Sequence, residues 1–351
     1  MVKASLRVHA PGLLTTVQDL GRSGYQHLGI PVSGALDPLS LRAANALVGN
    51  PSAAGALEVA YLGPTLVVEA ESVRLAFVGA QATVDVYDEE TETGGTRINT
   101  MQSVRLQRGQ IVRVGSLIGS AVLYIAVEGG LDIAAVFGSV STYIRGRIGG
   151  WQGRALVAGD RVPLTQNNAT DRDECRLTDL DLGLPKCLRC TAGPQYDYFS
   201  KSEFESLFSH EYTVGAGSDR MGMRLVGRNL KHARGYNIIS DGIAPGSIQI
   251  PGDGAPIVLL ADRQTTGGYP KIATVISADL PALGRVPIGA KIRFELVTIE
   301  AAVAARERLH GEFDNLKSNI VPLPRTGADI GPLLFDHNLI SGAIDAHCAD
   351  G

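Results

Sequence analysis

Aromatic residues are scarce in this 351-residue chain, at 5%, and so are charges, at 19%. Neither sign dominates: 32 basic against 36 acidic residues give a net charge of -4, which argues against a general nucleic-acid binder. No apolar run approaches the ~18 residues of a membrane span. The N-terminal stretch through Gly21 has no continuous apolar segment or cleavage pattern, so no secretory leader is expected and the reading is cytoplasmic. Four cysteines cannot make a disulfide framework at this length. Cys187 and Cys190 have the spacing of half a zinc site, but no second cysteine or histidine pair completes four ligands, so no metal is predicted. A G-x-S-x-G nucleophile elbow and a G-x-x-x-x-G-K-[ST] phosphate loop are both missing.

Glycine is plentiful, with 42 residues against a usual share of roughly 7%. Short apolar or alternating runs lie between these glycines, at 65–70, 73–80, 103–115, 120–130, 247–251, 256–261, 271–277 and 290–299. Their β-branched content predicts strands, and their density predicts barrels or sandwiches rather than βαβ units. Helices are predicted in three places. Asp37 caps the first, with Pro38 in its first turn and Gly49 at its end. The second runs from Tyr198 to Phe208 and the third through 298–313. The polar, acidic stretch 165–186 reads as a connector, which divides the chain into an N-terminal β domain (1–165), a C-terminal β domain (187–313) and a tail of unknown structure (314–351).

Candidate chemistry concentrates where glycines and polar side chains meet strand ends. Asp262 and Gln264 follow the apolar run 256–261. Gly267 and Gly268 could bring backbone N–H groups close to a ligand, with Thr265, Thr266 and Tyr269 adding hydroxyls and Lys271 a charge. That set suits a planar amide or lactam flanked by a carboxylate. The plain structural alternative is a hairpin with a solvated Lys271. Arg220 could fork onto a carboxylate with Asp219 as orienter or base, or the two could close a loop as a structural pair. Gln249 could read an amide or bond backbone. Gln18, Asp19 and Arg22 more often fix turns, His27 lacks a second ligand, and Arg224, Arg228, Lys231 and Arg234 read as a solvated strip. Asn45 reads as a helix-face contact, with a partner protein among the candidates for what it touches.

The ordered segments 12–37, 217–227 and 240–280, with Gly149-Gly150-Trp151 and Gly193 to Phe199, together resemble a known family from about Val8 to Ala302. It is the family of biotin-dependent carboxyltransferases and 5-oxoprolinase C subunits, whose members are also called the second subunit of allophanate hydrolase. The resemblance implies a mainly β fold of two barrel-like domains of cyclophilin-like type. It implies an obligate kinase-inhibitor-like (KipI-like) partner, the B component of the complex, and a LamB/YcsF-type A component. The expected activity is ATP-dependent opening of 5-oxoproline to glutamate by the complex. Alternatives are carboxyl transfer from carboxybiotin on a separate carrier to urea or a related amide, and non-enzymatic binding of a kinase inhibitor. On this reading Asp219, Asp262 and Lys271 are the catalytic candidates, and Arg220, Gln249, Gln264, Thr265, Thr266, Gly267, Gly268 and Tyr269 bind substrate.

Overall fold

A computed structural model describes residues 3–88 and 95–323. Two antiparallel sheets of the N-terminal half face each other. One has six strands, in the order Arg161–Pro163, Ser5–Ala10, Thr65–Val68, Gln110–Val114, Val84–Asp88 and Thr96–Ile98. The other has seven: Leu14–Gln18, Ala56–Ala60, Ile118–Val127, Ser72–Gln81, Gln102–Gln107, Cys175–Leu177 and Ile320–Pro322. Alternation explains the apolar run at 73–80. Val73, Leu75 and Phe77 point into the core between the sheets, while Ala76 and Val78 point out beneath helix α1 (Pro38–Leu47). Both faces of that strand are therefore buried.

The stretch 103–115 is two strands rather than the single one expected. Gly109 turns the chain at φ +82°, a backbone region that disfavours side chains, and the two strands join different sheets. The acidic stretch 165–186 is likewise not a free connector over its first part. Cys175–Leu177 extends the seven-stranded sheet, and Glu174 accepts a hydrogen bond from Arg74 at 2.9 Å. Beyond 313, Leu316 packs with the α1 cluster and Ile320–Pro322 pairs with Cys175–Leu177, so the chain returns to the N-terminal sheet. The rest of the expected tail, 324–351, lies outside the described residues.

The C-terminal half is built on one eight-stranded sheet: Lys291–Ile292, Tyr212–Val214, Gly222–Val226, Ile257–Leu259, Ser247–Gln249, Lys271–Val275, Leu188–Ala192 and Phe294–Leu296. Its two edge strands are separated along the chain by Arg293 alone, so the sheet curls until it nearly closes on itself. Leu188, Ile248, Val258, Ile272 and Phe294 fill the interior. Among the described residues four helices accompany the sheets: α1, α2 (Lys201–Ser209, capped by Ser200), α3 (Leu280–Arg285) and α4 (Ile299–Asn315, capped by Thr298). The mainly β fold with few helices is as the sequence predicted, apart from α3, whose six residues show too little periodicity to be seen in advance. No described helix is long and apolar enough to cross a membrane.

Candidate functional site

The candidates from sequence divide between two clusters that hold buried charge. The first is the seam where the two halves meet. Arg220 is 8% exposed and all three guanidinium nitrogens are engaged. Nε donates to Asp262 at 2.9 Å, Nη2 to Asp262 at 3.2 Å and to the Gly34 carbonyl at 2.6 Å, and Nη1 to Glu58. Burial alone would weaken the charge of Arg220, but Glu58 and then Asp262 more than offset this and hold its pKa above the ordinary arginine value. The Tyr124 hydroxyl donates to Glu58 at 2.5 Å and accepts from the Asp37 backbone N–H at 2.9 Å. Burial, then the charge of Glu58, pushes that phenol well up. Asp37 caps α1 as expected, and also receives Arg285 of α3 at 2.9 Å.

This seam differs from the sequence reading of Asp262 and Arg220 as residues open to a ligand. Asp262 is 5% exposed and paired with Arg220, so the two side chains bond first to each other and to the seam. Asp219 closes the adjacent turn, accepting from the backbone N–H groups of Met221 and Gly222 at 2.8 and 3.1 Å. Asn45 is fully buried and donates to the Ala54 carbonyl at 2.8 Å, so its contact lies inside the N-terminal half rather than on a partner. Asp19 knits a turn through Ser139, Val140 and Gly21.

The second cluster lies on the barrel around Lys271, whose strand begins at that residue. Only 2% of Lys271 is exposed, which contradicts the solvated alternative. Its Nζ meets Asp241 Oδ2 at 2.8 Å, and the same oxygen accepts from Gln195 Nε2 at 3.3 Å. Gln195 clasps the lysine backbone as well, with its N–H on the Lys271 carbonyl and its Oε1 accepting the Lys271 N–H, both at 3.2 Å. The hydrogen bond from Lys271, then those from Gly242 and Gln195, holds the Asp241 carboxyl below its ordinary range. Asp241 reaches this place because Asp241–Gly242 pairs with Thr266–Gly267 as a two-stranded ribbon over the barrel.

Gln249, on the neighbouring strand, is 2% exposed, and its Nε2 has no hydrogen-bond partner while Oε1 takes a 3.5 Å contact from Gln264. A buried donor left unpaired is costly, and in native proteins such groups concentrate where a ligand or ordered water completes the bond. Gly267 makes the close approach possible, since a Cβ there would lie 2.7 Å from Gln249 Nε2 and 2.8 Å from the end of Ile243. Thr265 is half-buried, and Thr266 and Gln264 are exposed above this floor. The Gly268 carbonyl accepts from the Ile238 N–H at 2.9 Å, so that glycine anchors the flanking loop. Tyr269, Tyr236 and Ile239 stand exposed, Ile239 to 94%.

The structure thus brings together Lys271, Gln249, Gln264, Thr266 and Gly267, and leaves Asp219, Arg220 and Asp262 in the seam. The sequence reading missed Asp241 and Gln195. Both lie inside segments singled out as motifs, but neither carries a spacing signal that points to Lys271. Cys190 is fully buried and its thiol is pushed well up, by burial first and then by Asp279 and Cys187. Among the described residues no group of His, Cys, Asp and Glu could hold a metal ion.

Comparison with known proteins gives a consistent result. The family model for the carboxyltransferase domain, subdomain A and B, matches residues 28–296. The 5-oxoprolinase C subunit of Escherichia coli (strain K12) is 36% identical over 313 residues, which are 89% of this chain and 97% of that protein. Its counterpart from Haemophilus influenzae is 35% identical over 302 residues, covering 86% of this chain and 94% of that one. The crystal structure of the K. lactis urea amidolyase superposes with a TM-score of 0.81 at 28% identity, over 93% of this chain and 21% of the larger one.

Proposed function

Because the chain belongs to the carboxyltransferase family of subdomains A and B, we propose that it is the C component of an ATP-dependent 5-oxoprolinase complex and that the Lys271 cluster contacts the lactam. Two 5-oxoprolinase C subunits match along nearly their whole length, whereas the urea amidolyase match takes in about a fifth of that protein, which favours the first reading over the second. The complex would also contain a KipI-like B component and a LamB/YcsF-type A component. With no phosphate loop in the sequence, ATP is assigned to the complex as a whole.

The observation that carries the site is the pairing of a buried ammonium with an unpaired buried amide donor. Lys271 Nζ and Gln249 Nε2 are two donors suited to a carbonyl or carboxylate oxygen, and such bonds strengthen as negative charge develops on that oxygen. Asp241 orients the ammonium and can accept an N–H from a ligand amide. Thr266 and Gln264 would read the remaining edge, with Thr265 and the Gly267–Gly268 backbone lining it and Tyr269 forming a wall. In this proposal Asp241 takes the acidic role that the sequence suggested for Asp219 or Asp262, and Arg220 braces the seam.

The alternative, carboxyl transfer from carboxybiotin on a separate carrier to urea or a related amide, draws on the likeness to the K. lactis urea amidolyase. Reconstitution with the partner proteins, followed by ATP turnover on 5-oxoproline, urea and allophanate, separates the two. Glutamate formed from 5-oxoproline without biotin is expected. Biotin-dependent turnover of urea with none on 5-oxoproline would replace the first reading with the second.

A further inference from the structure

Arg263 follows Asp262 in the chain and occupies a different environment. It is 4% exposed, yet no carboxylate among the described residues pairs with it. The acids of the seam are already engaged, Glu58 and Asp262 with Arg220 and Asp37 with Arg285. Two backbone carbonyls take part of the guanidinium: Nε donates to Ile243 at 3.1 Å and Nη1 to Leu260 at 3.2 Å. Nη2 is left over. Burial alone, with no acid to counter it, pushes the pKa of Arg263 down to about 10.

Arg263 lines a cavity of 170 Å³ between the halves, walled by Val32, Leu36 and Pro38 on one side and Leu260 and Leu283 on the other. Ser33 lines it too. Its side chain is 5% exposed, its Oγ has no hydrogen-bond partner, and its backbone sits at φ +55°, a region a serine seldom adopts. A buried cation without a counter-ion, a buried hydroxyl without a partner and apolar walls thus face one space. Each polar group is expensive alone, and one anion with an apolar body would offset both costs.

We propose that this cavity binds a short aliphatic carboxylate, its oxygens taken by Arg263 and Ser33 and its chain by the leucine and proline walls. A short carboxylate such as butanoate is of a size that this 170 Å³ space admits. Lys271, Gln249 and Asp241 do not line this cavity, so the site is separate from the Lys271 cluster and does not rest on the function proposed above. Ligand there would hold the two halves together, because each wall belongs to one half.

The test is titration of the full chain with butanoate, butanamide, sulfate and 5-oxoproline, followed by calorimetry and thermal unfolding. Butanoate is expected to bind and raise the unfolding temperature, at least about tenfold more tightly than butanamide, whose amide forgoes the charge-assisted bonds. Arg263→Met should lose at least tenfold in affinity. Since Arg263 also braces Ile243, Ala35→Leu provides a second variant: Ala35 lines the cavity, and the larger side chain takes up its space while Arg263 is kept, so butanoate binding should again fall. Equal binding of butanamide, an equal response to sulfate, tight binding of 5-oxoproline that Ala35→Leu abolishes, or butanoate affinity unchanged in Ala35→Leu would each overturn the proposal.

Discussion

Replacing Arg220 by methionine removes the cation that Glu58 and Asp262 share at the seam while keeping most of the side-chain volume. Four hydrogen bonds go with it, two to Asp262 and one each to Glu58 and the Gly34 carbonyl. Glu58 keeps Tyr124 and the Leu36 N–H at 2.9 Å, but Asp262 is stranded with 5% of its surface exposed. Removing one side of a buried pair costs about 3–5 kcal/mol, most of it from the uncompensated charge left behind. The stranded carboxylates can escape part of this by binding protons, which raises their folded pKa values above those of the unfolded chain. The variant's deficit should then grow as pH rises through that interval, so it is larger at pH 8 than at pH 5. Urea unfolding of wild type and variant at both pH values reads this directly. Adding Glu58→Gln to the variant should recover part of the loss. A cost below about 1 kcal/mol at pH 8, with no dependence on pH, would show that Arg220 is not committed to the seam and would return it to the list of ligand clamps.

Gly267→Ala places a methyl 2.7 Å from Gln249 Nε2, so turnover of the reconstituted complex should fall at least about tenfold while the melting temperature moves little; normal turnover would separate Gln249 from the chemistry. Burial by itself would raise the Glu128 carboxyl, but the Thr170 hydroxyl at 2.6 Å, then Arg74, hold it below 4.5, so its contribution to stability is present above about pH 4.5 and is lost as pH falls through the depressed value. Thr170→Val should therefore be less stable than wild type at pH 7, with the gap closing in acid; a gap constant down to pH 3 in urea titrations would refute this. Cys190, buried and with its thiol pushed up, should resist iodoacetamide in the native protein at pH 8 and react only on unfolding, as mass spectrometry of the labelled peptide would show; fast native labelling would contradict the packing.

Local rules carried far along this chain. Asp37 and Pro38 located α1, and the glycine-bounded β-branched runs located most strands. The failures share a cause, which is distance along the chain. Arg220 and Asp262 have the residue types of a ligand clamp, and what commits them to structure is Glu58, 162 positions away from Arg220, which no local pattern connects to them. Of the residues proposed for the site, Lys271 and Gln249 stand near turn glycines at strand ends, where a local pattern draws attention to them. Asp241 was not legible, since it enters on a ribbon strand of two residues, and Gln195 enters from a loop. Arg263 drew no attention because an arginine in a polar stretch reads as solvated, and only the fold reveals that its surroundings hold no acid.

In the proposed site Lys271 faces substrate from the floor of the barrel. The measurement that tests this most directly is steady-state turnover of 5-oxoproline by the reconstituted complex carrying Lys271→Met, with assembly and ATP-independent stability checked alongside. A complex that still assembles but loses at least about a hundredfold in kcat is predicted, the scale seen when a donor to a developing negative charge is removed. Wild-type kcat and KM in a fully assembled Lys271→Met complex would contradict the site.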